Sequence, residues 1–407
     1  MDILIMIVCT TIVLGLLVFI HEGGHYLAAR AFGVRVTEFM LGLPGPHIGF
    51  KRGETKFGVT AIPLGGYARV CGMGVGEESP HLARVLRCVY ARGTANMEDV
   101  AHELGISEDD AYTALEELVE WGSITGPKKQ DKYNTYRTPE ALDYNKHAAE
   151  EPSAEAALPV KLEAGWNAEA APGAYAAASG APVALNPATQ AALAHIPAGV
   201  EGSPRPLEDV QAFFEAERAR TYRSLPFWKR CVILVAGPGM NVLFALLAFV
   251  LIYSVIGYDV QNTETGEITH IIVDPWTSIK AGFTYIGMVF VAILGLFNPQ
   301  TAAETVSNST SLVGIAVLSK TAFEQGLVTA LSFSAMLSVS LGLMNMLPIP
   351  PLDGGRFVVE IYQKIRGKAI SPKVLNSLSL AGAALFMLFF IFMVNQDVQR
   401  FVFGNWS

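Results

Sequence analysis

Four apolar runs constrain this chain more than any other feature. Residues 3–20 and 232–256 carry no charge, residues 327–347 are uncharged with Asn345 near the end, and residues 378–394 form the fourth run. Each approaches or exceeds the roughly 18–20 residues that span a hydrocarbon core of about 30 Å. Lipid offers backbone amides no partners, so runs of this kind fold as helices. A fifth run, 281–297, is shorter and ambiguous from length alone. Only 16% of the 407 residues are charged, against about 25% in soluble domains, which excludes an ordinary soluble enzyme. The first run has no Lys or Arg before it and no small-residue cleavage site after it, so it reads as a retained transmembrane helix and not a cleaved signal peptide.

Charge orients the runs. Arg30, Arg35, Lys51, Arg52 and Lys56 follow the first, Lys229 and Arg230 precede the second, and Arg356, Lys364, Arg366, Lys368 and Lys373 lie between the third and fourth. Between the second and third, residues 257–326 hold only Lys280 and Lys320 against several acidic residues. The positive-inside rule makes the first and third loops cytoplasmic and both termini extracytoplasmic, in a multi-pass cell-membrane protein. Cys9, Cys71, Cys88 and Cys231 include no CxxC pair and read neither as a disulfide framework nor as metal ligands.

The expected fold is mainly α, with four transmembrane helices, a membrane-associated β-hairpin region and a small winged-helix-like α+β insert. Helix 1 falls in 1–30. The hairpin region spans 31–75, where short apolar pieces are broken by Gly and Pro and Arg52-Gly53-Glu54 reads as a turn. The insert spans 80–139: three helices, the third capped by Ser107 with Asp110 in place of the usual Glu, then a tail with Gly-Pro and Lys-Lys that resembles a wing. Residues 140–206, rich in Ala and Pro, read as a linker. Helix 2 lies in 222–257, an extracytoplasmic segment in 258–326, helix 3 in 327–356 and helix 4 in 374–396. A winged helix commonly binds DNA through its third helix, but here that helix carries Glu108, Asp109, Asp110, Glu116, Glu117 and Glu120, which repel phosphates. A cytoplasmic protein or ligand is the expected partner of the insert.

His21-Glu22-Gly23-Gly24-His25 places two imidazoles at i and i+4, on one helix face, where they can share a zinc ion while Glu22 serves as base. The bland reading is a water-facing helix end. Three ionisable groups at the end of a membrane helix are costly unless paired or used, which favours function. A third ligand is required, and Asp353 in the turn Asn345-Met346-Leu347-Pro348-Ile349-Pro350-Pro351-Leu352-Asp353-Gly354-Gly355 is the comparable candidate, a helix cap being the alternative. With 281–297 lying along the outer face as an interfacial or re-entrant helix, the histidines and Asp353 fall in one leaflet.

At these residues the sequence resembles the site-2 protease family of intramembrane zinc metalloproteases, in its bacterial branch. His21–His25, Ala236-Gly237-Pro238-Gly239-Met240-Asn241, the Asn345–Asp353 turn, residues 309–315 and Pro63-Leu64-Gly65-Gly66-Tyr67 carry the likeness over 3–70 and 222–394. The resemblance implies zinc held by His21, His25 and Asp353, Glu22 as catalytic base, and Asn345, Pro348, Asn241, Gly65 and Gly66 as substrate-binding residues. It implies cleavage of single-span membrane proteins, such as anti-sigma factors or signal-peptide remnants, with the substrate presented as an added strand. Relatives usually carry PDZ domains after the second helix; residues 257–307 are too few for one, and the soluble mass sits in the first loop. An inactive membrane-tethered regulator working through the winged-helix-like insert is the alternative. A transporter is disfavoured because the polar groups cluster and do not trace a path.

Overall fold

The computed structural model describes residues 2–62, 65–74, 76–131, 133–140, 199–261, 267–307, 309–401 and 403. Most of the expected linker, with Pro63, Leu64 and Lys132, lies outside the described residues.

The chain opens with α1 (Asp2–Ala31), an unbroken helix that carries the first apolar run through both histidines. Four strands follow: β1 (Val36–Leu41), β2 (His47–Arg52), β3 (Thr55–Thr60) and β4 (Gly66–Val70). The expected pieces form strands, and Arg52-Gly53-Glu54 turns as read, with Gly53 at φ +58°. The sheet is not a run of hairpins, however. Its order is β2-β3-β1-β4, with β1 parallel to β3 and antiparallel to β4. One face rests on α1 through Tyr26, whose ring meets Phe39 at 5.7 Å and Phe57 at 5.6 Å in edge-to-face contacts. Strand β2 is exposed along its whole length.

The soluble insert comprises α2 (Leu82–Arg92), β5 (Thr94–Ala95), α3 (Met97–Leu104), α4 (Glu108–Glu120) and β6 (Tyr136–Arg137). Ser107 caps α4 by accepting from the Asp110 amide at 3.1 Å, and its hydroxyl donates to the Asp110 carboxylate at 2.7 Å. Leu86, Val89, Leu115, Leu118, Trp121 and Tyr136 form its core. The insert does not close at residue 139. Phe213 of α5 (Val210–Ala219) fills the same core, and the Arg205 amide donates to the Tyr90 carbonyl at 2.7 Å, so the chain returns to complete the unit.

A buried ionic cluster joins this unit to the sheet. The Arg35 guanidinium, just ahead of β1, donates to Glu217 of α5 at 2.7 and 2.9 Å, to Glu54 of the β2–β3 turn at 3.1 Å and to the Trp121 carbonyl at 3.0 Å. Arg220 pairs with Glu54, and the Ser123 hydroxyl donates to Glu217 at 2.6 Å.

Helix α6 (Phe227–Val250) continues as a π turn, Leu251–Ile256. Hairpin β7–β8 (Tyr258–Gln261, Ile268–Ile271) leads to α7 (Pro275–Gly295), α8 (Ala302–Ser307), α9 (Leu312–Glu324) and α10 (Leu327–Asn345). The last two helices are α11 (Asp353–Arg366) and α12 (Pro372–Phe401).

The expectation of four helices of membrane-spanning length is corrected to five candidates. Among the described residues five helices are long and apolar enough to cross a membrane, the addition being α7. Asp274 caps α7 by accepting from the Thr277 amide at 3.0 Å, and Pro275 occupies the first turn, so the helix begins well before residue 281. Lys280, which ended the uncharged run in the sequence, lies 5.5 Å from the Trp276 ring, a side chain that can reach the interface.

Helix α10 runs antiparallel to α6. A Cβ on Gly342 would lie 2.9 Å from the Pro238 carbonyl, Ser338 donates to the Asn241 carbonyl at 2.9 Å, and Ala335 and Val339 pack with Ala245, Ala248 and Phe249. Whatever path α7 takes, the segment between α6 and α10 therefore leaves from and returns to the end of the bundle remote from His21. Near the end of α12, Asp397 accepts from the Ser311 amide and hydroxyl, both at 2.6 Å, and from the Gly314 amide at 3.0 Å, which pins α9 to α12.

Candidate metal centre

His21, Glu22 and His25 lie on the last turns of α1, where it crosses α6 at close range. A side chain at Gly24 would strike the Ala236 carbonyl, and one at Gly237 would occupy the space filled by the His25 ring. The Gly237-Pro238 step thus leaves room for an imidazole beside a helix backbone.

The ring of His25 is fixed by its Nδ1, which donates to the Ile233 carbonyl of α6 at 2.8 Å, so Nε2 points its lone pair outward. His21 Nδ1 faces the Asn241 side-chain amide at 3.3 Å. Asn241 is fully buried, and its Oδ1 has no partner among the described residues. A half turn of that amide aims Oδ1 at Nδ1–H of His21, the tautomer that frees Nε2 for a metal. Asn241 therefore sits buried behind the imidazole.

Asp353 arrives from 328 residues beyond His25, at the first position of α11. Gly354 and Gly355 let that helix start directly against the Asn345–Pro351 turn, where a Cβ would meet the Met346 carbonyl and the Pro350 nitrogen. Asp353 Oδ2 lies 3.1 Å from His21 Nε2 and 3.2 Å from His25 Nε2, and the three donor atoms all fall within 4.8 Å of one another. Donors about 2.0–2.2 Å from a tetrahedral ion stand roughly 3.3 Å apart, so the set suits zinc with one position left open.

Glu22 is half-buried, and its Oε2 accepts from the Ala68 amide of β4 at 2.9 Å. That amide points away from β1, so the free edge of β4 faces Glu22. Gly66 needs its bare Cα there, since a Cβ would meet Val18 Cγ1 at 2.5 Å. Gly65, immediately before the same strand, sits at φ +78°. Asn345 donates to the Leu341 carbonyl at 3.0 Å, and Pro348 is exposed on the turn between α10 and α11. Sequence reasoning missed the Ile233 carbonyl and the part played by Ser338, which fixes Asn241 through its backbone. A backbone acceptor leaves no compositional mark.

The profile of peptidase family M50 matches residues 9–389. The chain is 23% identical to the regulator of sigma-W protease RasP of Bacillus subtilis, over 97% of this chain and 98% of that one. It is 25% identical to the zinc metalloprotease RasP of Shouchella clausii, over 95% and 97%, and 26% identical to the zinc metalloprotease RasP of Oceanobacillus iheyensis, over 97% and 99%. The match spans α1, the sheet, α6 and the Asp353 turn together, and the chain belongs to peptidase family M50.

Proposed function

We propose that this chain is an intramembrane zinc metalloprotease in which His21, His25 and Asp353 hold the metal and Glu22 is the catalytic base. The observation that carries the reading is the convergence of three donor atoms from two distant helices beside one carboxylate. Zinc held by these residues would supply Lewis acidity toward the scissile carbonyl and the attacking water. Glu22 takes the proton from that water and passes it to the amide nitrogen as the C–N bond breaks, held in place meanwhile by the Ala68 amide. Asn241 and the Ile233 carbonyl keep the two imidazoles turned inward.

The open edge of β4 beside Glu22 supports presentation of an unwound substrate as an added strand. Gly65 leads into that strand and Gly66 begins it, while Asn345 ends α10 and Pro348 lies on the turn before Asp353. The substrates are single-span membrane proteins, and the likeness to a sigma-W regulator protease favours anti-sigma factors among them. The histidine end of α1 is cytoplasmic, both termini are outside, and α7 returns along the outer face without a net crossing. The insert, of winged-helix-like element order, is cytoplasmic and sets the position of the sheet. Glu117 and Glu120 of α4 already bind the Ser79 and Gly74 amides, so this helix is engaged within the chain. The test is cleavage of a single-span reporter in vesicles: loss with Glu22→Gln at unchanged zinc content supports the reading, and unchanged cleavage overturns it.

A further inference from the structure

Two helices share the work of building the metal centre. Helix α6 turns the imidazoles through the Ile233 carbonyl and Asn241, and α11 carries Asp353. Something must fix the distance between these helices, because a shift of about an ångström would pull the carboxylate away from the rings. Arg230 lies three residues before Ile233 on α6, about one turn. Glu360 lies seven residues after Asp353 on α11, two turns along the same face. Arg230 Nη1 reaches Glu360 Oε2 at 3.0 Å, and Tyr222 donates its hydroxyl to Glu360 Oε1 at 3.2 Å. Tyr222 is itself buried, and its amide donates to the Cys71 carbonyl at 2.8 Å, just past the end of β4. The three side chains thus tie α6, α11 and the exit of the sheet at one point.

We infer that Tyr222, Arg230 and Glu360 form a positioning lock that holds Asp353 against the two histidines. The inference rests on the reading of Asp353 as a metal ligand. The lock touches neither substrate nor metal and acts only by fixing the register of α11 on α6. Beside it lies a cavity of about 320 Å³ bounded by Arg230, Glu360, Arg356 and Leu375. The lock side chains therefore border open space, and trimming them leaves the packing on the other side in place.

The test measures zinc affinity of the full-length protein in detergent, by competition with a chromogenic chelator, for wild type, Arg230→Met, Glu360→Gln, the double variant, Arg230→Lys and Arg35→Met. Arg35 belongs to the buried cluster with Glu54, Glu217 and Arg220, outside the Arg230–Glu360 contact, and reports general loosening. The lock predicts that Arg230→Met and Glu360→Gln each weaken zinc binding about tenfold or more. It predicts that Arg230→Lys retains most of the affinity and that the double variant, which leaves no unpaired charge, recovers part of the loss. Wild-type affinity in both single variants overturns the lock, as does an equal loss in Arg35→Met. Should a single variant fail to fold, Arg230→Lys and the double variant decide. Absence of zinc from the wild type would instead overturn the parent reading, and the lock with it, so the two failures are distinguishable.

Discussion

Single side chains at the centre make different demands, and substitution separates them. His25→Ala or Asp353→Ala removes a donor from a three-donor set, so zinc content, about one per chain in the wild type, should fall in both when measured by mass spectrometry. Zinc lost in the histidine variant alone would leave Asp353 a turn residue. Glu22→Gln keeps the donor set and should retain zinc while lowering cleavage by about 10²–10⁴-fold. Asn241→Ala leaves His21 without its partner and should weaken zinc about 10–100-fold, whereas a substrate contact would raise KM at unchanged zinc affinity. The His pair was legible in the sequence because i, i+4 spacing is itself a geometry. Asp353 was legible because Pro and Gly mark a turn at the end of an apolar run. Asn241 was visible as a polar residue in such a run, but no pattern states which way a buried amide faces, so its place behind His21 needed the structure.

Among the elements, the joint between sheet and insert rests on Arg35, Glu54, Glu217 and Arg220, all largely sequestered from water. Arg35→Met leaves buried Glu217 with Arg220 as its remaining ion-pair partner, and Glu54 with Arg220 and the more distant Arg30, and should destabilise the protein by about 3–5 kcal/mol, seen as a lower unfolding midpoint. Burial alone would push the Glu54 carboxyl up, but Arg220, Arg35 and Arg30 outweigh it and bring it down to about 2. A folded value below the ordinary 4.5 means the stabilisation is complete above pH about 4.5 and fades as pH falls toward 2. Glu54→Gln should therefore flatten the acid limb of a stability–pH curve, and an unchanged slope between pH 5 and 3 would refute the assignment. The sequence showed the strands by their Gly and Pro boundaries and the insert helices by their spacing. It did not show that β1 pairs in parallel with β3, because pairing across an intervening strand leaves no local signal. Nor did it show that Phe213 belongs to the insert core, since that contact closes only after the long excursion through residues 141–198.

For the molecule as a whole, the question is how five candidate spans fit a centre that needs α1 and α11 on one side of the membrane. Because α10 is antiparallel to α6, the stretch between them must make an even number of crossings. Either α7 crosses and the stretch containing α8 and α9 returns, or neither does. Helix α9 has 13 residues, about 20 Å, too short to span about 30 Å of hydrocarbon by itself. The economical solution is that α7 stays in the outer leaflet with α8, while the start of α9 is pinned through Asp397 to α12. Labelling with a membrane-impermeant maleimide tests this in intact cells. Cys9, Cys71 and Cys88 are buried and Cys231 is half-buried, so the native background is low. Thr269→Cys on β8 should label, Lys129→Cys in the insert should label only after the membrane is opened, and Gln300→Cys, between α7 and α8, should label from outside. Protection of Gln300→Cys in intact cells would mean that α7 crosses, and the return would then have to be made by the chain around α9.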